Sequence, residues 1–337
     1  MKAITFTTSL PTSDAKCFVE TDLPMPELKE QDVLVKIKAI SVNPVDYKVR
    51  QNSAKETVLP QPKIIGWDAT GEVVALGAKV SLFKVGDEVY YAGDLTRPGC
   101  YAEYQAVDER IVALKPKSLS TEAAAVLPLT SLTAWELFFD RMRIIPEKDK
   151  GKTILLIGGA GGVGSIAIQI AKKVAGLKVI ATASRPESKK WCEEMGADAV
   201  VHPKNIVEEV RALGYSHIDF IADFVDVNAY WDVIVELIKP QGIVGSITGG
   251  ATPIALNKLK NKSVTFCWEL MYTRSMFQTE DIIQQHRILT QVAEFIDKGV
   301  LKTTIHQTLP SLTAENMTKA HIQLESGTTI GKIAVKV

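Results

Sequence analysis

The chain has 337 residues, 39 basic and 39 acidic side chains and a formal net charge of zero. That length suits two domains better than one core. Hydrophobic residues at 46% and charged residues at 23%, with no block of like charge, argue for a globular protein and against a nucleic-acid surface or a disordered acidic tail.

The N-terminal MKAITFTTSL reads as a strand and lacks the basic and apolar regions of a secretory signal. No apolar run approaches the ~18 residues of a membrane span. Cys17, Cys100, Cys192 and Cys267 are scattered, so neither a disulfide framework nor a C-x-x-C pair is indicated. A reducing, cytoplasmic setting without membrane or nucleic-acid partner is expected.

The first ~120 residues read mostly as β. DVLVKIKAISV (32–42) alternates as a half-buried strand does; ATGEVVALG (69–77), DEVYYAG (87–93) and YAEYQAVDERIVALKP (101–116) add more, separated by turns at Gly77, Gly86-Asp87 and Arg97-Pro98-Gly99. An antiparallel, barrel-like β domain is expected. At 120–140 the composition turns Ala- and Leu-rich. From 152 to about 270 short apolar runs at 152–158, 178–184, 217–224, 242–249 and 263–270 alternate with helical segments at 162–175, 187–195, 204–213 and 228–239. This predicts a parallel, doubly wound sheet. Residues 281–298 carry Ile282, His286, Leu289, Val292, Ala293 and Ile296 on one helix face, and GKIAVKV closes the chain as a strand. The expected division is 1–123 with 272–337 as a β-rich domain, and 124–271 as an inserted α/β domain.

Within LLIGGAGGVGSIAIQIAKK (155–173), Gly159, Gly161 and Gly164 spell G-x-G-x-x-G between a strand and a helix. That context makes the loop Gly159, Ala160, Gly161, Gly162, Val163, Gly164 a dinucleotide turn. Gly159 is expected to permit the tight turn, Gly161 to let a pyrophosphate approach, and Gly164 to let the helix pack close. The helix N-terminus offers free N–H groups and partial positive charge to phosphates. At the end of the next strand an NAD site usually places a carboxylate; here Ser184 and Arg185 stand, with Lys189 a turn later. Arginine suits a 2′-phosphate, so NADP(H) is expected over NAD(H).

The stretches SVNPVDYKVR (41–50), GWDATGEVVALG with KVGDEVY (66–90), AAAVLPLTSLTAWELFF (123–139) and the glycine loop together resemble the medium-chain dehydrogenase/reductase superfamily over nearly the whole chain. The resemblance is strongest to its zinc-independent quinone oxidoreductase branch, and residues 269–299 resemble a bacterial subgroup labelled zinc-type alcohol dehydrogenase-like. It implies a GroES-like β-rich catalytic domain plus a Rossmann domain. A catalytic zinc needs three protein ligands. Where zinc-dependent relatives keep a cysteine the chain has Asn43-Pro44-Val45-Asp46; where they keep a Gly-His-Glu histidine it has Gly66-Trp67-Asp68; and 127–133 holds neither Cys nor His. No metal is expected. Without a Lewis acid, acceptors that take hydride at carbon and spread the charge are favoured. The resemblance implies NADPH-dependent reduction of quinones or α,β-unsaturated carbonyls.

The resemblance puts Asn43 near the substrate oxygen, either bonding it or holding a neighbour. The proton donor is left open: either Tyr47 fills the role, or Lys48 stabilises a developing enolate, or water donates the proton. Trp67 is either a wall against a planar substrate or core packing. Around the nicotinamide the resemblance implies Thr130, Phe224, Ile247 and Thr248. The edge segment 261–271 is expected to pair across a homodimer. A zinc alcohol dehydrogenase and an NADPH-binding module with little turnover are the alternatives.

Overall fold

The computed structural model describes residues 1–337. The chain divides into two compact units, Met1–Leu129 with Tyr272–Val337, and Thr130–Met271. The first boundary falls a few residues beyond the expected division at 123/124. The short helix Thr121–Ala125 stays with the first unit because Thr303 Oγ1 donates to the Ala123 carbonyl at 2.6 Å.

In the first unit a seven-stranded sheet runs Ile305–Leu309, Lys332–Lys336, Asp32–Ser41, Asp68–Leu76, Glu88–Tyr91, Val112–Leu114; Tyr104–Asp108 also pairs with Asp32–Ser41. All neighbours are antiparallel except the pair Ile305–Leu309 and Lys332–Lys336. A smaller sheet holds Val19–Asp22, Lys2–Phe6 and Lys63–Ile64. The central strand Asp32–Ser41 departs from the half-buried expectation: only Lys36 is exposed, because the helix Thr121–Ala125 packs against it as well. Its register matters for the site. Ser41 pairs with Ala334 on one side and with Asp68 on the other. Residues just past Ser41 therefore meet both the start of the closing strand and the start of Asp68–Leu76.

Three helices of ten or more residues belong to this unit, and sequence periodicity exposes only one of them. Gln284–Asp297 buries Ile288, Leu289, Val292, Ala293 and Ile296. Pro44–Ser53 and Ala314–Glu325 were not expected. The first has Pro at its first turn and no apolar stripe; its buried residues are the charged Asp46 and Arg50. The second buries Met317, Ala320 and His321.

The second unit is a six-stranded parallel sheet in the order Ala199–Val201, Lys178–Thr182, Thr153–Ile157, Ile218–Asp223, Ile238–Ser246, Thr265–Trp268. Strand Ala199–Val201, only three residues long, is the one the apolar runs did not reveal. The five-residue strand Thr153–Ile157 is buried throughout, as a central parallel strand covered on both faces must be. Leu155, Ile157, Ile180, Ile221 and Val244 form the core with Trp231, Ile234 and Leu237 of the helix Val227–Leu237. No helix of the chain is long and apolar enough to cross a membrane.

Candidate active site

The glycine loop leaves Thr153–Ile157 and enters the helix Gly162–Gln169 at the carboxyl end of the sheet. Its glycines divide the work differently from the expectation. The left-handed backbone falls on Gly158, at φ +92°, and not on Gly159. Gly159 is required for closeness instead: a Cβ there would lie 2.7 Å from Ala181 Cβ and 3.1 Å from Cys192 Sγ. Gly164 faces the Gly158 carbonyl, which would stand 2.2 Å from a Cβ. Gly161 opens on space, the nearest atom to a Cβ being the Gly158 oxygen at 3.7 Å. Side-chain bulk there would fill a cradle, not disturb packing.

Two partners missed from sequence hold the loop. Thr182 Oγ1 accepts from the Gly158 N–H at 2.9 Å, and the Thr182 carbonyl accepts from Gly159 N–H at 3.1 Å. Ser165, in the first helical turn, accepts from Trp191 Nε1 at 2.8 Å and donates to the Gly161 carbonyl at 2.7 Å. The helix N-terminus has no side-chain cap, so Ala160, Gly162 and Val163 line a donor-rich turn of partly exposed residues.

Past Lys178–Thr182, Ser184 and Lys189 are exposed. Arg185 is partly exposed and its Nε lies 3.2 Å from Glu187 Oε1. At the neighbouring strand ends, Phe224 and Ile247 are half-buried, and both donate backbone N–H groups to the sheet, to the Ile157 and Asp223 carbonyls. Thr248 turns its hydroxyl into Asp223 at 2.8 Å. Asp223, missed from sequence, also accepts from Ser246 Oγ at 3.0 Å and Val225 N–H at 3.1 Å. Burial raises its pKa against these bonds. It ties the ends of two strands together. Thr130, the first residue of this unit, is buried.

The first unit holds a second constellation, buried to an unusual degree. Asn43 stands one residue before the helix Pro44–Ser53. Its Nδ2 donates to Asp68 Oδ2 at 2.8 Å, and its Oδ1 accepts from Lys332 Nζ at 2.5 Å. Asp68 Oδ1 accepts from the Leu129 N–H at 2.8 Å. Asp46 Oδ2 accepts from the Asn43 N–H at 2.9 Å and from the Tyr101 hydroxyl at 2.8 Å. Tyr101 Oη lies 3.2 Å from His321 Nε2, and Arg50 Nε donates to His321 Nδ1 at 3.3 Å. Arg50 then reaches Glu325 at 2.5 Å.

Burial governs the ionisation of these groups. It pushes Asp46 up to about 7, against the Asn43 N–H, the Tyr101 hydroxyl and Lys332. It raises Asp68 too, opposed by Lys332 and Asn43. Burial, with the Arg50 charge, pulls His321 down to about 3, so its ring is neutral. Lys332 is drawn below the usual lysine value by burial, while Asp68 and Asp46 pull the other way. Three oxygens around its Nζ are what an ammonium requires.

Among the expected substrate-side residues, Asn43 has its carboxamide committed to Asp68 and Lys332, so of its two expected roles it fits holding a neighbour. Tyr47 is half-buried and its phenol bonds to no group of the chain; burial, then the Glu325 charge, raises its pKa. Lys48 is exposed. Trp67 is fully buried, edge-on to Tyr272 at 6.2 Å between centroids, and offers no open face as placed. Its position supports core packing and not the wall.

The residues do not fit a zinc. No three His, Cys, Asp or Glu side chains converge. An indole N–H only donates. Cys100, buried beside Asp46 and Asp68, has its thiol pushed up by burial and by those carboxylates and donates to the Asp68 carbonyl at 3.4 Å. Asp68 has both oxygens engaged. His286 packs on Phe83 and meets the Val112 carbonyl through Nδ1.

Residues 29–117 match the alcohol dehydrogenase GroES-like domain and residues 162–285 the zinc-binding dehydrogenase family. A zinc-type alcohol dehydrogenase-like protein of Staphylococcus aureus (strain MRSA252) is 41% identical over the full length of both chains. The chain belongs to the medium-chain dehydrogenase/reductase superfamily. Within this superfamily of oxidoreductases, a Rhizobium etli CFN 42 protein provisionally named a zinc-dependent alcohol dehydrogenase superposes with a TM-score of 0.95 at 43% identity, covering 100% of this chain and 98% of that one. The chloroplastic NADPH-dependent alkenal/one oxidoreductase of Arabidopsis thaliana is 38% identical over 70% of this chain and 60% of its own.

Proposed function

We propose that this medium-chain dehydrogenase/reductase is an NADPH-dependent, zinc-independent reductase of quinones or α,β-unsaturated carbonyls. One observation carries the reading. The acceptor oxygens of Asn43 and Asp68, where a cation would sit, are taken by the ammonium of Lys332. Alcohol oxidation that relies on a metal to polarise oxygen has no donor set here. Conjugated acceptors, which spread charge after accepting hydride at carbon, need no such ion.

NADPH, when bound, supplies the hydride. The open face at Gly161 and the uncapped helix N-terminus hold its pyrophosphate. Ser184, Arg185 and Lys189 hold the 2′-phosphate, Arg185 exchanging Glu187 for the stronger anion. Thr130, Phe224, Ile247 and Thr248 shape the nicotinamide end. Tyr47 keeps its proton at neutral pH and donates it to the reduced substrate, with Lys48 adding positive charge on the same helix. The protein works as a cytoplasmic homodimer joined through 261–271. Strand Thr265–Trp268 is the sheet's free edge, with Trp268 and Leu270 about half exposed beside it.

The test is NADPH oxidation at 340 nm against a panel of quinones and enones, with simple alcohols and NAD+ in parallel. Enone or quinone turnover in protein purified without added zinc is expected. Zinc-dependent alcohol oxidation, or NADPH binding with no turnover of any panel member, overturns the reading.

A further inference from the structure

Lys332 opens the closing strand Lys332–Lys336, and the register that pairs Ala334 with Ser41 sets it opposite Asn43. Its side chain is 4% exposed and Asp68's is 0% exposed. The three donors of its ammonium meet the Val42 carbonyl at 2.8 Å, Asn43 Oδ1 at 2.5 Å and Asp68 Oδ2 at 3.2 Å. No donor is left over, and every acceptor is an oxygen. Because the ammonium has no acceptor capacity, it also fixes which end of the Asn43 carboxamide faces it: the oxygen meets Lys332 and the NH₂ meets Asp68.

We propose that Lys332 is a positioning residue for the reductase. Its ammonium is the resident cation of the centre, orienting Asn43 at the head of the helix that carries Tyr47 and Lys48, and keeping Asp68 on the Leu129 N–H. This rests on the reductase reading for its catalytic consequence, but the ammonium seat itself stands on geometry alone. Without the cation, Asp68 is a buried carboxylate left with only the Asn43 NH₂ and the Leu129 N–H, and the Asn43 oxygen loses its donor, so that carboxamide is released to turn. The helix Pro44–Ser53 then loses the side-chain contact that holds the residue preceding it, although Asp46 still holds the Asn43 N–H. The Leu129 N–H immediately precedes Thr130 in the chain, so Asp68 also fixes the segment leading to an expected nicotinamide residue.

The test is chemical rescue. Lys332→Ala removes the ammonium and leaves a channel the width of an alkyl chain. Its kcat for enone reduction should fall about 10- to 100-fold, the cost of a lost charge-assisted contact. Added propylamine should restore much of that kcat saturably, while tetramethylammonium at equal ionic strength, which has no N–H, should not. Lys332→Met, which fills the channel, should be as slow and beyond rescue. A Lys332→Ala enzyme within twofold of wild type, or a folded one that propylamine leaves unchanged, overturns the proposal. Should Lys332→Ala not fold, Lys332→Arg is compared with Lys332→Met. About tenfold higher kcat in the arginine variant is expected, and equal rates overturn the proposal. Should wild type reduce no quinone or enone, the reductase reading fails separately. The seat is then read from the thermal midpoint of Lys332→Ala: a rise with propylamine but not with tetramethylammonium supports it, and no rise overturns it.

Discussion

Asp46 and His321 sit on either side of the Tyr101 hydroxyl, and burial moves them in opposite senses. Asp46 is raised from 3.8 to about 7, and His321 lowered from 6.5 to about 3. Between about pH 4.5 and 6, the unfolded chain therefore carries its proton on the histidine, and the folded chain carries it on the carboxyl. Each state binds one, so the pair contributes almost no slope to stability against pH. Single substitutions uncover the two halves. In Asp46→Asn only the histidine remains: the unfolded state holds the extra proton, and stability rises with pH by about 1.4 kcal/mol per unit. In His321→Gln only the carboxyl remains: the folded state holds the extra proton, and stability falls with pH at the same rate. Over pH 4.5 to 6 each variant should diverge from wild type by about 2 kcal/mol, in opposite directions. Native-state hydrogen exchange of the amides in Asp32–Ser41, corrected for intrinsic rate at each pH, reads opening of the first unit alone. Wild type gives the baseline from all other groups. Variant slopes within about 0.3 kcal/mol per unit of wild type would refute the burial argument, since that is the scale of ordinary non-additivity.

The glycine loop separates binding from folding. Gly161→Val should abolish NADPH binding, measured by tryptophan fluorescence quenching, and leave the thermal midpoint within a degree or two, because nothing crowds its Cβ. Gly164→Val should lower the midpoint sharply, because the Gly158 carbonyl lies 2.2 Å from the added carbon. Arg185→Ala should raise KM for NADPH about 10-fold or more and hardly change KM for NADH, the loss of one charge-assisted phosphate contact; equal effects on both would remove the 2′-phosphate assignment. Metal analysis after purification without added zinc should find well under one equivalent per chain, and a tightly held equivalent would contradict the donor-set argument.

The parallel sheet was legible because its inner strands Lys178–Thr182, Thr153–Ile157 and Ile218–Asp223 are buried almost throughout and so write apolar runs with little interruption. Ala199–Val201 escaped because three residues set no period. The helices Pro44–Ser53 and Ala314–Glu325 escaped for a different reason. Their buried faces hold Asp46, Arg50 and His321, and a periodicity search built on apolar residues sees a polar core face as solvent. Pro44 at the first turn and Asp46 two residues later were the capping signals available.

The glycine loop and the buried centre of the first unit differ in the same way. A phosphate cradle is a local device: its strand, turn and helix are contiguous, so the spacing of Gly159, Gly161 and Gly164 carries most of it, and only the division of labour shifts when Gly158 takes the left-handed conformation. The Asn43–Asp68–Lys332 centre is not local. Asn43 and Lys332 are 289 residues apart, and what joins them is strand register, which no short window records. In sequence Lys332 is only the second residue of GKIAVKV, read as a closing strand, and nothing in that window marks it as a site residue. In the fold, that strand completes the sheet begun at Asp32–Ser41, and its first side chain supplies the cation to the centre. The closing segment of the chain thus has a chemical reason to return to the first unit as well as a topological one: without it, Asp68 would be a buried carboxylate with no counter-charge, a state that costs several kcal/mol and that the fold avoids by bringing its own ammonium.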